Sequence, residues 1–133
     1  MKSLPARQPA VFTDGSALNN PGPVGAAAII YSEGIISQPT IVSEPVSFWS
    51  TNYHGELAAL KLATEQLVNL RSCKQFSSAQ ILSDCQAAIS STCSRDLHSS
   101  HQGLINAIHC DINILIQHNV KVAITWIPDR KSV

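Results

Sequence analysis

Charge is scarce in this chain. Lys, Arg, Asp and Glu make up 14% of its 133 residues, nine basic against nine acidic, for a net charge of zero. No run of like charge reads as a tail, and no broad basic surface is encoded that would hold a polyanion by its field alone. Any contact with nucleic acid must therefore be local. Paired cysteines are lacking too. Cys73, Cys85, Cys93 and Cys110 contain no C-x-x-C, and with five scattered histidines they form no zinc spacing. They read as reduced thiols in or near a core, which favours a reducing, intracellular compartment. None of the histidines has a Ser or Cys partner at a spacing that suggests a nucleophilic triad. Long apolar runs are absent: GAAAIIY is far too short to cross a bilayer, so no membrane partner is expected. Pro5 and Pro9 interrupt the segment where a secretory signal would need an apolar stretch.

What is present suits one globular domain. Hydrophobic residues reach 44%, and 133 residues can bury a real core. Residues 1–9 read as a loose N-terminal extension and 10–133 as the domain. AVFTD (10–14) reads as a strand, GSALNNPGPVG (15–25) as turn chemistry throughout, and AAAIIYS (26–32) as a second strand. TIVSEPVSFW (40–49) is β-branched and aromatic, a third strand that Pro45 marks as an edge or a bulge. Short links make these three an antiparallel meander. The period then changes. Leu57, Leu60, Ala63, Leu67 and Leu70 follow a three-four spacing, a helix capped by Ser50, Thr51 or Asn52. SSAQILSD (77–84) reads as a buried strand, CQAAISSTC (85–93) as a short helix, LINAIHCDINILIQHN (104–119) as a long one and VKVAITWIP (120–128) as a last strand. Right-handed crossovers then place the later strands parallel to the first, giving a mixed five-stranded α/β sheet covered by helices.

Three carboxylates fall at element boundaries: Asp14 at the end of the first strand, Glu56 early in the first long helix, Asp84 at the end of the fourth strand. Each alone has a plainer use. Asp-Gly is a turn pair, Asp84 is a fair helix N-cap, and Glu56 favours the positive end of a helix dipole. Together they behave differently. If strands one and four are parallel neighbours, Asp14 and Asp84 end at the same edge, where open α/β sheets place their sites. Glu56 joins them from the helix above. Three converging negative charges need cations, and hard oxygen donors suit Mg²⁺ or Mn²⁺. Two such ions clamp the attacking and leaving oxygens of a phosphodiester.

TDGSALNNPGPVGAAAII, STNYHGELAALKLA, ILSDCQAAI and VAITWIP, in that order, resemble the type 1 ribonuclease H domain, most of all the version carried by retrotransposon reverse transcriptases. The likeness runs from about Val11 to Pro128. It implies a ribonuclease H-like fold, hydrolysis of the RNA strand of RNA–DNA hybrids, two Mg²⁺ ions (Mn²⁺ in their place as the other option), and the rest of a reverse-transcriptase polyprotein as partner. Asp14 would bridge both metals, with the Gly15 backbone beside it. Glu56 would hold one metal near the ribose 2′-hydroxyl, and Asp84 would bind a metal and fix the attacking water. Gly15, Ser16, Asn19 and Asn20 would face the minor groove of the hybrid, where the 2′-hydroxyl distinguishes RNA. Asn52 and Gln86 stand where the family uses polar residues to touch nucleic acid.

The chain departs from the family pattern after TWIP. The family continues with Gly-His, a mobile loop and a last helix carrying a fourth carboxylate. Here the sequence reads DRKSV, with Asp129 and Arg130 in the places of the Gly and the His. The expectation is thus a domain incomplete at its C-terminus, its last helix missing, with apolar surface left open near Ile124 and Trp126. The competing expectation is a catalytically impaired fold that binds nucleic acid or a protein partner.

Overall fold

The computed structural model describes residues 8–34, 38–93 and 101–128. Eight elements appear: β1 (Ala10–Ala17), β2 (Gly22–Tyr31), β3 (Thr40–Ser50), α1 (Asn52–Arg71), β4 (Ser78–Ser83), α2 (Gln86–Cys93), α3 (Gln102–Gln117) and β5 (Lys121–Trp126). The five strands form one sheet in the order β3-β2-β1-β4-β5. β1, β2 and β3 pair antiparallel, whereas β4 lies parallel to both β1 and β5. This is the mixed sheet that the sequence predicts, three antiparallel strands followed by two parallel ones.

Alternation along the strands sets the two faces. Val11, Thr13 and Gly15 of β1 lie opposite Ile30, Ala28 and Ala26 of β2 on the buried face. α1 covers that face. Leu57, Leu60, Ala63 and Leu67 are fully buried, with Leu70 half-buried beside them. Ala58, Ala59, Leu62 and Thr64 are buried as well. Their burial reflects a helix packed between the sheet and α3, so its apolar surface is wider than a single stripe. Ile105, Ile108 and Leu115 anchor α3 to the same core.

Several boundaries depart from the sequence reading. β1 runs on to Ala17 and β2 begins at Gly22, so the Gly- and Pro-rich stretch is mostly hairpin, with only residues 18–21 turning. Asn19 takes the left-handed conformation there (φ 64°), which its short polar side chain tolerates. Small residues in 15–25 mimic a loop, yet ladder hydrogen bonds to β2 hold them extended. Residues 8 and 9 are not loose: Gln8 Oε1 accepts the Ser77 and Ser78 N–H groups, and the Pro9 carbonyl accepts from Gln80. α3 starts at Gln102 rather than 104, and β5 ends at Trp126 rather than 128. Pro45 sits on an edge strand and beside register slips between β2 and β3, as its missing N–H demands. Trp126 is 47% exposed, as anticipated, whereas Ile124 packs half-buried against the core.

Candidate active site

β1 pairs with β4 only through Ala10, Val11 and Phe12. Beyond Phe12 the two strands part, and the Thr13 hydroxyl makes one more link, to the Leu82 carbonyl at 3.2 Å. The rest of β1 therefore lacks a strand on that side. Backbone N–H groups left there need acceptors. α1 supplies them. Glu56 Oε1 accepts the Gly15 N–H at 3.2 Å, and Asn52 Oδ1 accepts the Ala17 N–H at 2.7 Å. Residues 52 and 56 are four apart and share one helix face. Two side chains of α1 thus take the place of a strand on the open half of β1.

So close an approach needs glycine. A Cβ on Gly15 would lie 2.2 Å from the Gly55 carbonyl carbon and 2.3 Å from the Glu56 nitrogen. A Cβ on Gly55 would lie 2.9 Å from Val24 Cγ1 and 3.1 Å from the Ser16 nitrogen. Gly55 is the residue that the sequence reading missed. Its signal was available: a glycine in the first turn of a helix costs about 1 kcal/mol against alanine and asks for a packing reason. Thr51 caps this turn by accepting the His54 N–H, which decides among the three candidate caps.

Asp14, Gly15, Ser16, Ala17, Asn52, Glu56, Asp84 and Cys85 line one cleft of about 390 Å³. Asp14 is exposed, Asp84 half-buried and Glu56 only 7% exposed. The three carboxylates named from sequence thus arrive from β1, from α1 and from the end of β4. Asp14 is not at the end of its strand, as expected, but within it, two residues past the last pairing with β4. Asp84 does not start α2 either. Cys85 precedes Gln86 there, its N–H donating to Ser83 Oγ at 3.1 Å and its carbonyl accepting the Ile89 N–H at 3.2 Å. Burial, and then the charges of Glu56 and Asp84, push the Cys85 thiol above its ordinary pKa. Asp14, Glu56 and Asp84, with no basic side chain among the lining residues, make the cleft acidic. The Asp84 carbonyl accepts the Trp126 indole N–H at 3.2 Å, tying the end of β4 to β5.

Of the polar residues expected at nucleic acid, Ser16 and Asn52 line the cleft and Asn19, Asn20 and Gln86 do not. Asn20 spends its Oδ1 on the Asn52 N–H at 2.9 Å, binding the hairpin turn to the start of α1. Asn52 commits its own Oδ1 to Ala17, so its amide NH₂ is the end left to donate. Gly15 is buried beneath α1 and its N–H is held by Glu56. His54, expected to be exposed, is half-buried: its ring stacks on His101 with centroids 4.3 Å apart, and Nδ1 meets Ser50 Oγ at 2.8 Å. Burial, with the charge of His101 second, lowers its pKa. Neither ring lines the cleft. Asp129, Arg130 and His98 lie outside the described residues.

Among the described residues no three His, Cys, Asp or Glu side chains form a ready-made cation cage. The donor set nevertheless fits a hard divalent ion: three carboxylates face one open, anionic cleft, without nitrogen or free thiolate competing.

A sheet of this order, with carboxylates at the parting of β1 and β4, defines a class of nuclease fold, and the comparisons agree. The RNase H family model matches residues 6–132, and the chain belongs to that family. Among solved structures, LC11-RNase H1, isolated from compost and solved in complex with RNA/DNA hybrid, superposes with a TM-score of 0.73 at 20% identity, covering 93% of this chain and 88% of that one. RNase H1 of Halobacterium salinarum gives 0.68 at 18%, covering 94% and 88%. The N-terminal RNase H domain from Mycobacterium tuberculosis gives 0.70 at 20%, covering 95% and 86%. At such identities these likenesses establish the fold. No curated protein matches the chain.

Proposed function

We propose that this chain hydrolyses the RNA strand of RNA–DNA hybrids with the help of divalent metal ions, Mg²⁺ or Mn²⁺. One observation carries the reading: on an RNase H fold, Asp14, Glu56 and Asp84 from three separate elements line a single cleft. These three carboxylates would hold the ions. Bound there, such ions polarise a phosphodiester and acidify a water. The chain's own groups do the rest. Glu56 is fixed by the Gly15 N–H before any ligand arrives. The Asn52 amide offers a donor to a 2′-hydroxyl or phosphate oxygen, and the exposed Ser16 lies beside it. The context proposed with it is a reverse-transcriptase polyprotein in a reducing compartment. Its support is the motif order and four cysteines that are all free thiols.

The test is cleavage of an end-labelled hybrid in Mg²⁺ and then in Mn²⁺, beside Asp14→Asn. Cleavage of the RNA strand alone, lost in the variant, is the expected result. A soluble chain that shifts the hybrid in a gel but cuts no more than Asp14→Asn is a binding protein instead.

A further inference from the structure

Strand β3 leaves two neighbouring aromatic side chains in water. Phe48 is 95% exposed and Trp49 71%. Large apolar side chains left exposed at neighbouring positions mark a contact surface. The backbone is what turns them out. Pairing between β2 and β3 runs Gly25↔Pro45, Val24↔Ser47, Gly22↔Ser50, so β3 carries an extra residue twice within six positions. Such bulges re-aim side chains, often beside functional sites. The second is pinned by Ser47, whose hydroxyl lies 3.2 Å from both the nitrogen and the carbonyl oxygen of Trp49. The bulged pair leads straight into Ser50, the cap Thr51 and Asn52, and Asn52 lines the carboxylate cleft.

Charge says what such a surface would hold. The chain has no net charge, and the charged groups in the cleft are acidic. A polyanion bound here gains little from phosphate neutralisation and needs another source of affinity. Planar rings supply one, because a base stacked on an aromatic side chain contributes about tenfold in binding. Within a duplex, base faces are already covered by their neighbours, so only unpaired nucleotides can use the rings. We propose that Phe48 and Trp49 form a stacking platform for one or two unpaired nucleotides flanking the hybrid. The preferred substrate is then a hybrid bordered by single strand. This inference rests on the nuclease reading of the cleft for the path of the strand, and its test separates the two.

The chain has two tryptophans, Trp49 and Trp126. Tryptophan emission of full-length Asp14→Asn, which blocks cleavage, is followed during titration with a blunt hybrid, the same hybrid with a three-nucleotide overhang, and a single-stranded oligonucleotide. The same chain carrying Trp49→Phe is the control. The overhang should bind about tenfold tighter than the blunt duplex and quench emission, and the quench should vanish with Trp49→Phe. In the otherwise unaltered chain, Phe48→Ala and Trp49→Ala should erase the overhang preference while leaving the melting midpoint and the rate on blunt hybrid unchanged. Equal binding of blunt and overhanging hybrids, without a Trp49 signal, overturns the platform and leaves a protein partner as the occupant. If no hybrid is ever cut but the oligonucleotide still quenches Trp49, the platform stands and the nuclease reading falls.

Discussion

The Glu56 carboxylate accepts the Gly15 N–H across 3.2 Å in a buried setting, so one side chain both closes the sheet and lines the cleft. These two duties separate by substitution. Glu56→Gln keeps an acceptor for Gly15 and removes the charge. Glu56→Ala removes both and leaves a buried donor unmet, at about 1–3 kcal/mol. The Gln variant should therefore melt near the wild-type midpoint and show neither cleavage nor metal-induced stabilisation. The Ala variant should lose several degrees as well. Melting scans with EDTA and with Mg²⁺ check both. Equal midpoints for Ala and Gln in EDTA would remove the structural half of the argument.

Gly15→Ala tests the approach of α1 to β1. The new methyl would meet the Gly55 and Glu56 backbone at 2.2–2.4 Å, which no side-chain rotation relieves. Overpacking of this kind costs about 3 kcal/mol or more. Gly55→Ala is milder, since its closest neighbour is the Val24 side chain at 2.9 Å. The expected order of urea midpoints is wild type, then Gly55→Ala, then Gly15→Ala.

The architecture was legible because the apolar period switches cleanly, from two in β1 to β3 to three-four in α1 and α3. Glu56 and Asp84 were legible because their places beside element boundaries follow from that switch, whereas Asp14, read as a strand end, lies inside β1. Finer features were hidden for physical reasons. Gly15 to Gly25 look like loop because small residues serve turns and tight hairpins equally well. Asn20 looked like a ligand contact because an exposed amide beside a site and a helix-tying amide have the same local sequence. The second use of Glu56 depends on β4 leaving β1 after Phe12, a register that no local pattern announces.

The half-burial of His54, with His101 stacked against it, gives the fold a pH dependence. Burial, and then the charge of His101, hold the His54 pKa below its ordinary 6.5, so between the two values the unfolded chain binds more protons than the folded one. Stability then rises with pH through this range. It should fall as pH drops below about 6.5 and level off once His54 is charged in the folded chain as well. Urea midpoints in EDTA at pH 7.5 and 5.0 measure it. His54→Gln should flatten the part of the slope lying near and just below pH 6.5. A slope unchanged by that substitution would assign the effect to other groups.

Asn52→Asp asks which end of the amide faces substrate. Aspartate keeps the acceptor that Ala17 N–H needs, and an acidic group at the first position of α1 suits the helix dipole by about 0.3–1 kcal/mol. Repulsion from Glu56, four residues on, takes back about 0.2–0.5 kcal/mol. The metal-free midpoint should therefore move little. The cleft, however, exchanges an amide donor for a fourth carboxylate. Stabilisation by Mg²⁺ should grow, since the donor set gains charge. Affinity for hybrid in EDTA should fall about tenfold or more, because a carboxylate neither donates to a 2′-hydroxyl nor tolerates a phosphate nearby. A variant that binds hybrid as the wild type does would mean that the Asn52 NH₂ points away from the path of the nucleic acid, and the cleft would need another strand path.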